Sequence, residues 1–193
     1  MFRSLRVVSG LWLVCLFSSV GPAQTAGEIS VPRGYKPPAM QVSESLRAVL
    51  EKSVSETLAA FPEKTWKPEE ISATVIDLRD AGRWQIAEVG GERQMYPASV
   101  PKMFYMVALQ RQLEDGTVKL TPELARGEKD MIVDSSNEAT QYILDVITNT
   151  SSGAELPDKE FRVWQHKRDR VNRFLTSMGY RNINVNQKTF CED

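Results

Sequence analysis

Residues 96–104 read Tyr-Pro-Ala-Ser-Val-Pro-Lys-Met-Phe and lead into a strongly apolar segment, Met103 to Leu113, which stops at Asp115-Gly116. The length of this segment and its glycine stop predict a buried helix that begins near Ser99. In a helix that starts there, residues three apart lie on one face. The pattern therefore predicts that the ammonium group of Lys102 lies beside the Ser99 hydroxyl.

The pair Ser99 and Lys102 has a chemical interpretation and a purely structural one. A serine hydroxyl is a poor nucleophile until a neighbouring base takes its proton, and a lysine can be that base when its pKa is lowered by burial or nearby cations. Backbone N–H groups at the helix start, including that of Ser99, can stabilise a developing oxyanion. In the structural interpretation Ser99 caps the helix and Pro101 occupies its first turn.

A second polar motif, Ser135-Ser136-Asn137, precedes an amphipathic helix predicted over Thr140 to Ile147. In the functional interpretation Ser135 relays a proton to a leaving group and the Asn137 amide donates a hydrogen bond to substrate. The alternative is a helix-capping box, because Glu138 follows Ser135 by three residues. Both can hold, since a capping serine can also present its hydroxyl to a cleft.

Hydrophobic periodicity outside these motifs predicts an α/β layout. Apolar residues recur every three or four positions from Val42 to Phe61, which predicts a helix. Residues 71–78 and 83–89 have strand composition and flank Asp80-Ala81-Gly82, which predicts a β-hairpin. A long charged helix is predicted from Lys159 to Met178. The expected fold class is α/β (α+β), with a helix and a hairpin followed by a helical lobe.

The N-terminus has the pattern of an export signal. Two arginines precede an apolar run, Val7 to Val20, and small residues up to Ala26 follow it. The run is shorter than the roughly 20 residues that span a bilayer, so a signal peptide is the better interpretation than a membrane helix; a buried N-terminal helix is the alternative. We expect a signal peptide over 1–26, a proline-rich linker over 27–40 and one domain over 41–193. The expected localisation is periplasmic or secreted, with no stable membrane span after cleavage.

Composition excludes several classes of function without selecting one. The formal net charge of the 193-residue chain is -1, so its overall charge does not attract it to nucleic acid or to an acidic membrane. Of its two cysteines, Cys15 lies in the predicted signal peptide and Cys191 is left without a partner. The one histidine, His166, is predicted to be a surface residue, and no group of ligands has metal spacing. We expect neither a metal nor a cofactor.

Together, the segments around Ser99 and Ser135 resemble the class A β-lactamases and the related penicillin-binding proteins. In that family a Ser-x-x-Lys opens a buried helix that ends in an acidic residue and glycine, and a Ser-x-Asn opens a later helix. The resemblance covers residues 41–150. It implies that Ser99 is the acylated nucleophile, Lys102 its proton acceptor, Ser135 the relay serine and Asn137 a substrate-binding amide.

Three features depart from that family pattern. The Lys-Thr-Gly strand motif is absent, since Lys188-Thr189-Phe190 has phenylalanine for glycine and follows Ser135 too closely. The deacylating glutamate of class A enzymes has no counterpart in its usual context, although Glu155 and Glu160 lie in the right half of the chain. Ser136 stands where aspartate is usual. The domain is therefore expected to be truncated, without its C-terminal strands.

The resemblance implies a serine hydrolase of the class A β-lactamase type, which hydrolyses β-lactam (cyclic amide) rings through an acyl-serine intermediate. The implied partner is a small-molecule β-lactam or a peptidoglycan peptide, and not nucleic acid. One alternative with the same chemistry is a D-alanyl-D-alanine carboxypeptidase or penicillin-binding protein that β-lactams inhibit. The other alternative is a non-catalytic, truncated envelope protein.

Overall fold

The computed structural model describes residues 27–186, which form six α-helices and one three-stranded sheet. The strands are β1 (Gln41–Val42), β2 (Ala73–Asp77) and β3 (Gln85–Val89). The helices are α1 (Glu44–Ala60), α2 (Pro101–Glu114), α3 (Pro122–Val133), α4 (Asn137–Thr148), α5 (Asp158–Arg168) and α6 (Arg170–Ser177). The 3-10 helices Pro62–Lys64 and Pro68–Glu70 lie between α1 and β2. The predicted α/β class is confirmed.

Several predictions fall on residues outside the described range. They are the signal peptide over residues 1–26, with Cys15, and the C-terminal residues Lys188-Thr189-Phe190 and Cys191. Within residues 27–186, no helix is long and apolar enough to cross a membrane.

The predicted hairpin is formed by β2 and β3, which pair antiparallel with Val75 opposite Ala87. Gly82 lies between the two strands with a φ of +91°, a conformation that glycine adopts without the steric cost of a side chain. The short strand β1 was not predicted; it pairs parallel to β3, with Val42 opposite Ile86. Helix α1 packs against this small sheet, and the helix and the sheet together form one thin layer of the fold.

The main hydrophobic core lies in the helical lobe. Its most deeply buried apolar side chains come from α2, α3, α4 and α6: Tyr105, Leu109, Met131, Ile143, Leu144, Ile147 and Val171. The helices predicted around Ser99 and over Thr140 to Ile147 are present as α2 and α4. This core is what holds the N-terminal ends of α2 and α4 in place.

Helix α3 was not predicted, and its packing explains why. The buried face of α3 consists of Leu124, Gly127 and Met131, so its middle position contributes no apolar side chain to the periodic pattern. Gly127 is needed for close packing, because a Cβ there would lie 2.8 Å from the ring of Tyr142 on α4. The close packing of α3 on α4 brings the end of α3 to the start of α4.

The helix predicted from Lys159 to Met178 is interrupted at Asp169, which ends α5 and precedes α6. Aspartate is unfavourable inside helices because its carboxylate competes for nearby donors. Here the Asp169 carboxylate accepts a hydrogen bond from the Asn172 side chain at 2.8 Å.

Residues 27–40 contain no helix or strand, but their first part lies on the helical lobe. Ile29 is only 5% exposed and belongs to the core of the lobe. Arg111 donates a hydrogen bond to the backbone oxygen of Ser30 at 2.9 Å, and Arg173 donates one to the Glu28 carboxylate at 2.9 Å. The boundary between linker and domain stays a prediction, but Ile29 already shares the core of the lobe.

Candidate active site

The turn before α2 presents Ser99 at the protein surface, two residues before the helix begins at Pro101. Ala98 has a φ of +48°, in the left-handed region where a Cβ costs on the order of 1 kcal/mol. The Ser99 side chain does not cap the helix, because α2 has no side-chain cap. Lys102 Nζ lies 3.2 Å from Ser99 Oγ instead.

The turn before α4 orients Ser135. Ser135 has a φ of +54°, again in the left-handed region, and precedes the helix by two residues. The alternative interpretation, in which Ser135 forms a capping box, is wrong, because the cap is Ser136, whose hydroxyl accepts from the backbone N–H of Ala139 at 3.1 Å. Ser135 Oγ therefore has no capping role and donates a hydrogen bond to Ser99 Oγ at 3.1 Å.

Lys102 joins the two motifs. Its side chain is only 3% exposed, and Nζ donates to Ser135 Oγ at 2.9 Å and to Asn137 Oδ1 at 3.0 Å. It also donates to the backbone oxygen of Ser135. The structure thus brings together Ser99, Lys102, Ser135 and Asn137, the four residues that the sequence singled out, around one nitrogen atom.

The oxygen atoms around Lys102 suit a neutral amine as well as an ammonium ion. An ammonium group has three N–H donors, whereas a neutral amine has two and one lone pair. The Ser135 carbonyl oxygen and Asn137 Oδ1 can only accept, so a neutral Lys102 can donate to both of them. Its lone pair is then left for a hydroxyl hydrogen, and the hydroxyls of Ser99 and Ser135 both lie within reach.

Burial lowers the pKa of Lys102, and the negative charge of Glu138 opposes this shift. The lowered pKa increases the neutral fraction of the amine at a given pH. A neutral amine can accept a proton from a serine hydroxyl, which an ammonium group cannot do. The site therefore has a candidate nucleophile and, 3.2 Å away, a candidate general base. The pKa of that base is shifted in the direction that proton abstraction requires.

A surface cleft of about 430 Å³ opens at this site. It is lined by the two motifs and by apolar residues of α2 and α3: Ser99, Val100, Lys102, Met103, Met131, Ile132 and Ser135. Glu155 and Glu160, the two glutamates considered for deacylation, line a different cavity formed by the loop before α5 and by α5 itself.

Sequence reasoning missed two contributors to this site. Ser136 was noted only as a departure from the family pattern, yet it caps α4 in the way that the more usual aspartate can. Glu138 was considered only as a capping partner, yet its charge acts on Lys102. The signal available for Glu138 was an acidic residue just before the helix predicted over Thr140 to Ile147, where a negative charge is favoured.

Two other residue types considered for chemistry lie elsewhere. His166 is on the exposed surface of α5, with Nε2 3.6 Å from the Glu28 carboxylate. Among residues 27–186, no three side chains of the His, Cys, Asp or Glu type are grouped so that they could hold a metal ion.

Comparison with known protein families assigns the chain to a class of enzymes. The model of the Beta-lactamase2 family, described as a β-lactamase enzyme family, matches residues 50–191, which is more than half of the 193-residue chain. The chain therefore belongs to the β-lactamase enzyme family, and the suspected kinship with serine β-lactamases and penicillin-binding proteins is confirmed at the level of the family. No curated protein and no solved structure matches it.

Proposed function

We propose that this protein is an acyl-serine hydrolase of the class A β-lactamase type, with Ser99 as nucleophile. The observation that carries the proposal is the position of Lys102 Nζ, buried and 3.2 Å from Ser99 Oγ and 2.9 Å from Ser135 Oγ. Family membership supports a hydrolase of this general kind.

The proposed reaction begins when the Ser99 hydroxyl gives its proton to neutral Lys102 and its oxygen attacks the carbonyl carbon of a cyclic amide. The C–N bond then breaks, and Ser135 passes a proton from Lys102 to the leaving nitrogen. Its Oγ lies 2.9 Å from Lys102 Nζ, the proton donor, and 3.1 Å from Ser99 Oγ, on which the acyl group forms. The product is an ester on Ser99. Water hydrolyses this ester and restores the serine hydroxyl.

Two further roles complete the proposal. The N–H of Ser99 contributes to oxyanion stabilisation, because Ser99 precedes the first turn of α2, where backbone donors have no helical partner. Asn137 binds the substrate amide while its Oδ1 stays on Lys102. Export to the periplasm or secretion is part of the same proposal and is supported by the apolar run from Val7 to Val20.

The test is the intact mass of the protein after incubation with penicillin. We expect a gain of one penicillin in the wild type and none in Ser99→Ala, with the fold of the variant checked by circular dichroism. Ser53→Ala, at an exposed serine of α1, is the matched control and should label like the wild type. Equal labelling of Ser99→Ala would exclude Ser99 as the nucleophile.

A D-alanyl-D-alanine peptidase that β-lactams inhibit is the second candidate. The observation that favours it is that Glu155 and Glu160 line another cavity and not the cleft of Ser99. The mass measurement separates the two, because a β-lactamase releases its label within minutes whereas such a peptidase holds it for much longer.

A further inference from the structure

The cleft beside Ser99 has apolar walls that are open to water. Val100, Met103 and Ile132 line it, and their side chains are 55%, 50% and 41% exposed. Val100 and Met103 lie three residues apart at the start of α2, and Ile132 lies near the end of α3. Three apolar side chains are therefore accessible in the same depression that holds the candidate nucleophile.

The charge properties of the cleft match its apolar walls. Among the residues that line it, Lys102 is the one with an ionisable side chain. Lys102 is buried, and its Nζ already donates hydrogen bonds to Ser135 and Asn137. A charged group that entered the cleft would lose water without gaining a partner of opposite charge, whereas an apolar group would cover exposed apolar surface.

We infer that this cleft receives the substituent on the carbon next to the attacked carbonyl, and that Met103 and Ile132 select substrates in which this substituent is apolar and uncharged. The inference rests on the proposed function, because it takes Ser99 as the attacking group. In a penicillin that carbon is bonded directly to the carbonyl carbon, so its side chain lies close to Ser99 in the acyl-enzyme. The cleft volume of about 430 Å³ falls within the roughly 300–1,000 Å³ that is usual for small-molecule sites.

Two penicillins that differ by one charge test the inference. Benzylpenicillin and carbenicillin share the ring system and the phenyl group, but carbenicillin carries an additional carboxylate beside the phenyl group. The rate of mass gain is measured with each compound, and the ratio of the two rates cancels any loss of folded protein. We expect benzylpenicillin to acylate the wild type at least about tenfold faster than carbenicillin does, because the cleft offers the carboxylate no partner. Equal rates would overturn the inference.

Ile132→Lys shows whether the preference originates in the cleft. Its ammonium group would give the carboxylate of carbenicillin a partner, so the ratio of the two rates should fall by about threefold or more. Val133→Lys is the matched control, because it adds the same charge one residue away, at a side chain that is 68% exposed and is not part of the cleft lining. Its ratio should stay at the wild-type value. An unchanged ratio in Ile132→Lys, or the same fall in both lysine variants, would contradict the assignment of the cleft.

A second measurement does not depend on acylation. Ser99→Ala protein labelled with ¹³C-methyl methionine is titrated with each penicillin and followed by NMR, with Met103→Leu in the same background to assign the signal. Benzylpenicillin should shift the Met103 signal and leave that of Met178, buried directly after α6, in place, whereas carbenicillin at the same concentration should shift neither. An unmoved Met103 signal contradicts the inference. If the wild type takes up neither penicillin, the proposed function fails, and the titration still decides whether the cleft binds an apolar group.

Discussion

Lys102 is buried and is also surrounded by oxygen atoms, and these two features shift its pKa in opposite directions. Burial favours the neutral amine, whereas hydrogen bonds to carbonyl and hydroxyl oxygens favour the ammonium form. Burial is the larger of the shifts on Lys102, so its pKa is lowered from 10.5. Between the lowered value and 10.5 the unfolded chain binds more protons at this residue, so Lys102 makes the free energy of unfolding rise with pH over that window.

A substitution at Ser136 removes the cap of α4 without changing Ser99, Lys102 or Ser135. Ser136→Ala should lower the free energy of unfolding by about 1 kcal/mol, because the Ala139 N–H loses its acceptor. It should also slow penicillin labelling, because the turn that orients Ser135 loosens. Urea denaturation and the rate of mass gain measure the two effects.

Ser136→Asn is the control for this prediction, since asparagine is an equally good cap and its amide N–H can still donate to the Glu138 carboxylate, as the Ser136 hydroxyl does at 3.0 Å. It should recover the stability that Ser136→Ala loses. Unchanged stability in Ser136→Ala would show that the cap contributes little and that the packing of α4 alone holds the turn.

The sequence singles out the four residues of the candidate site, but it predicts only one of the contacts among them. Ser99 and Lys102 lie three apart in one turn, so their proximity follows from local geometry. The approach of Ser135 depends on α3, a helix that the pattern does not reveal. One partner of Lys102 is the backbone oxygen of Ser135, and no side-chain pattern can indicate a backbone partner in a left-handed turn.

At the scale of the elements, the packing of α3 on α4 holds the turn that carries Ser135. Gly127→Ala should destabilise the protein by about 1–3 kcal/mol, because the added Cβ would lie 2.8 Å from the Tyr142 ring. Penicillin labelling should slow as well, since the end of α3 leads into Ser135. Thermal unfolding and labelling are the two measurements.

Gly153→Ala is the matched control, because nothing lies within 4 Å of a Cβ at that position. It should leave stability and labelling close to those of the wild type. Equal stability of the two alanine variants would mean that Tyr142 turns aside at little cost.

The elements that could be predicted are those with a continuous periodic signal. Helices α1, α2 and α4 and the hairpin fall in this group, because apolar residues mark the faces on which they pack at regular spacing. β1 has only two residues and gives no such signal. The interruption at Asp169 was missed because the charged run around it is compatible with one long helix.

For the whole molecule, the segment before the sheet contributes to the core of the helical lobe. Ile29→Ala should lower the free energy of unfolding by about 2–4 kcal/mol, because Ile29 is 5% exposed and its removal leaves a cavity among the helices. Val49→Ala, at a position 64% exposed on α1, should have almost no effect. Similar small losses in both variants would mean that residues 27–40 do not hold the lobe together.

The molecule divides into a helical lobe with a deep core and a thin layer made of α1 and the sheet. The lobe buries large side chains completely, whereas α1 has no buried residue. Stability is therefore concentrated in the part of the chain that carries Ser99 and Ser135.

Because the two layers are buried to different extents, their local opening costs different amounts of free energy. An opening of α1 and the hairpin exposes little core and costs less free energy than an opening of the lobe. Such partial openings leave the serine–lysine pair intact, so the chemistry can outlast the sheet beside it as the protein is heated.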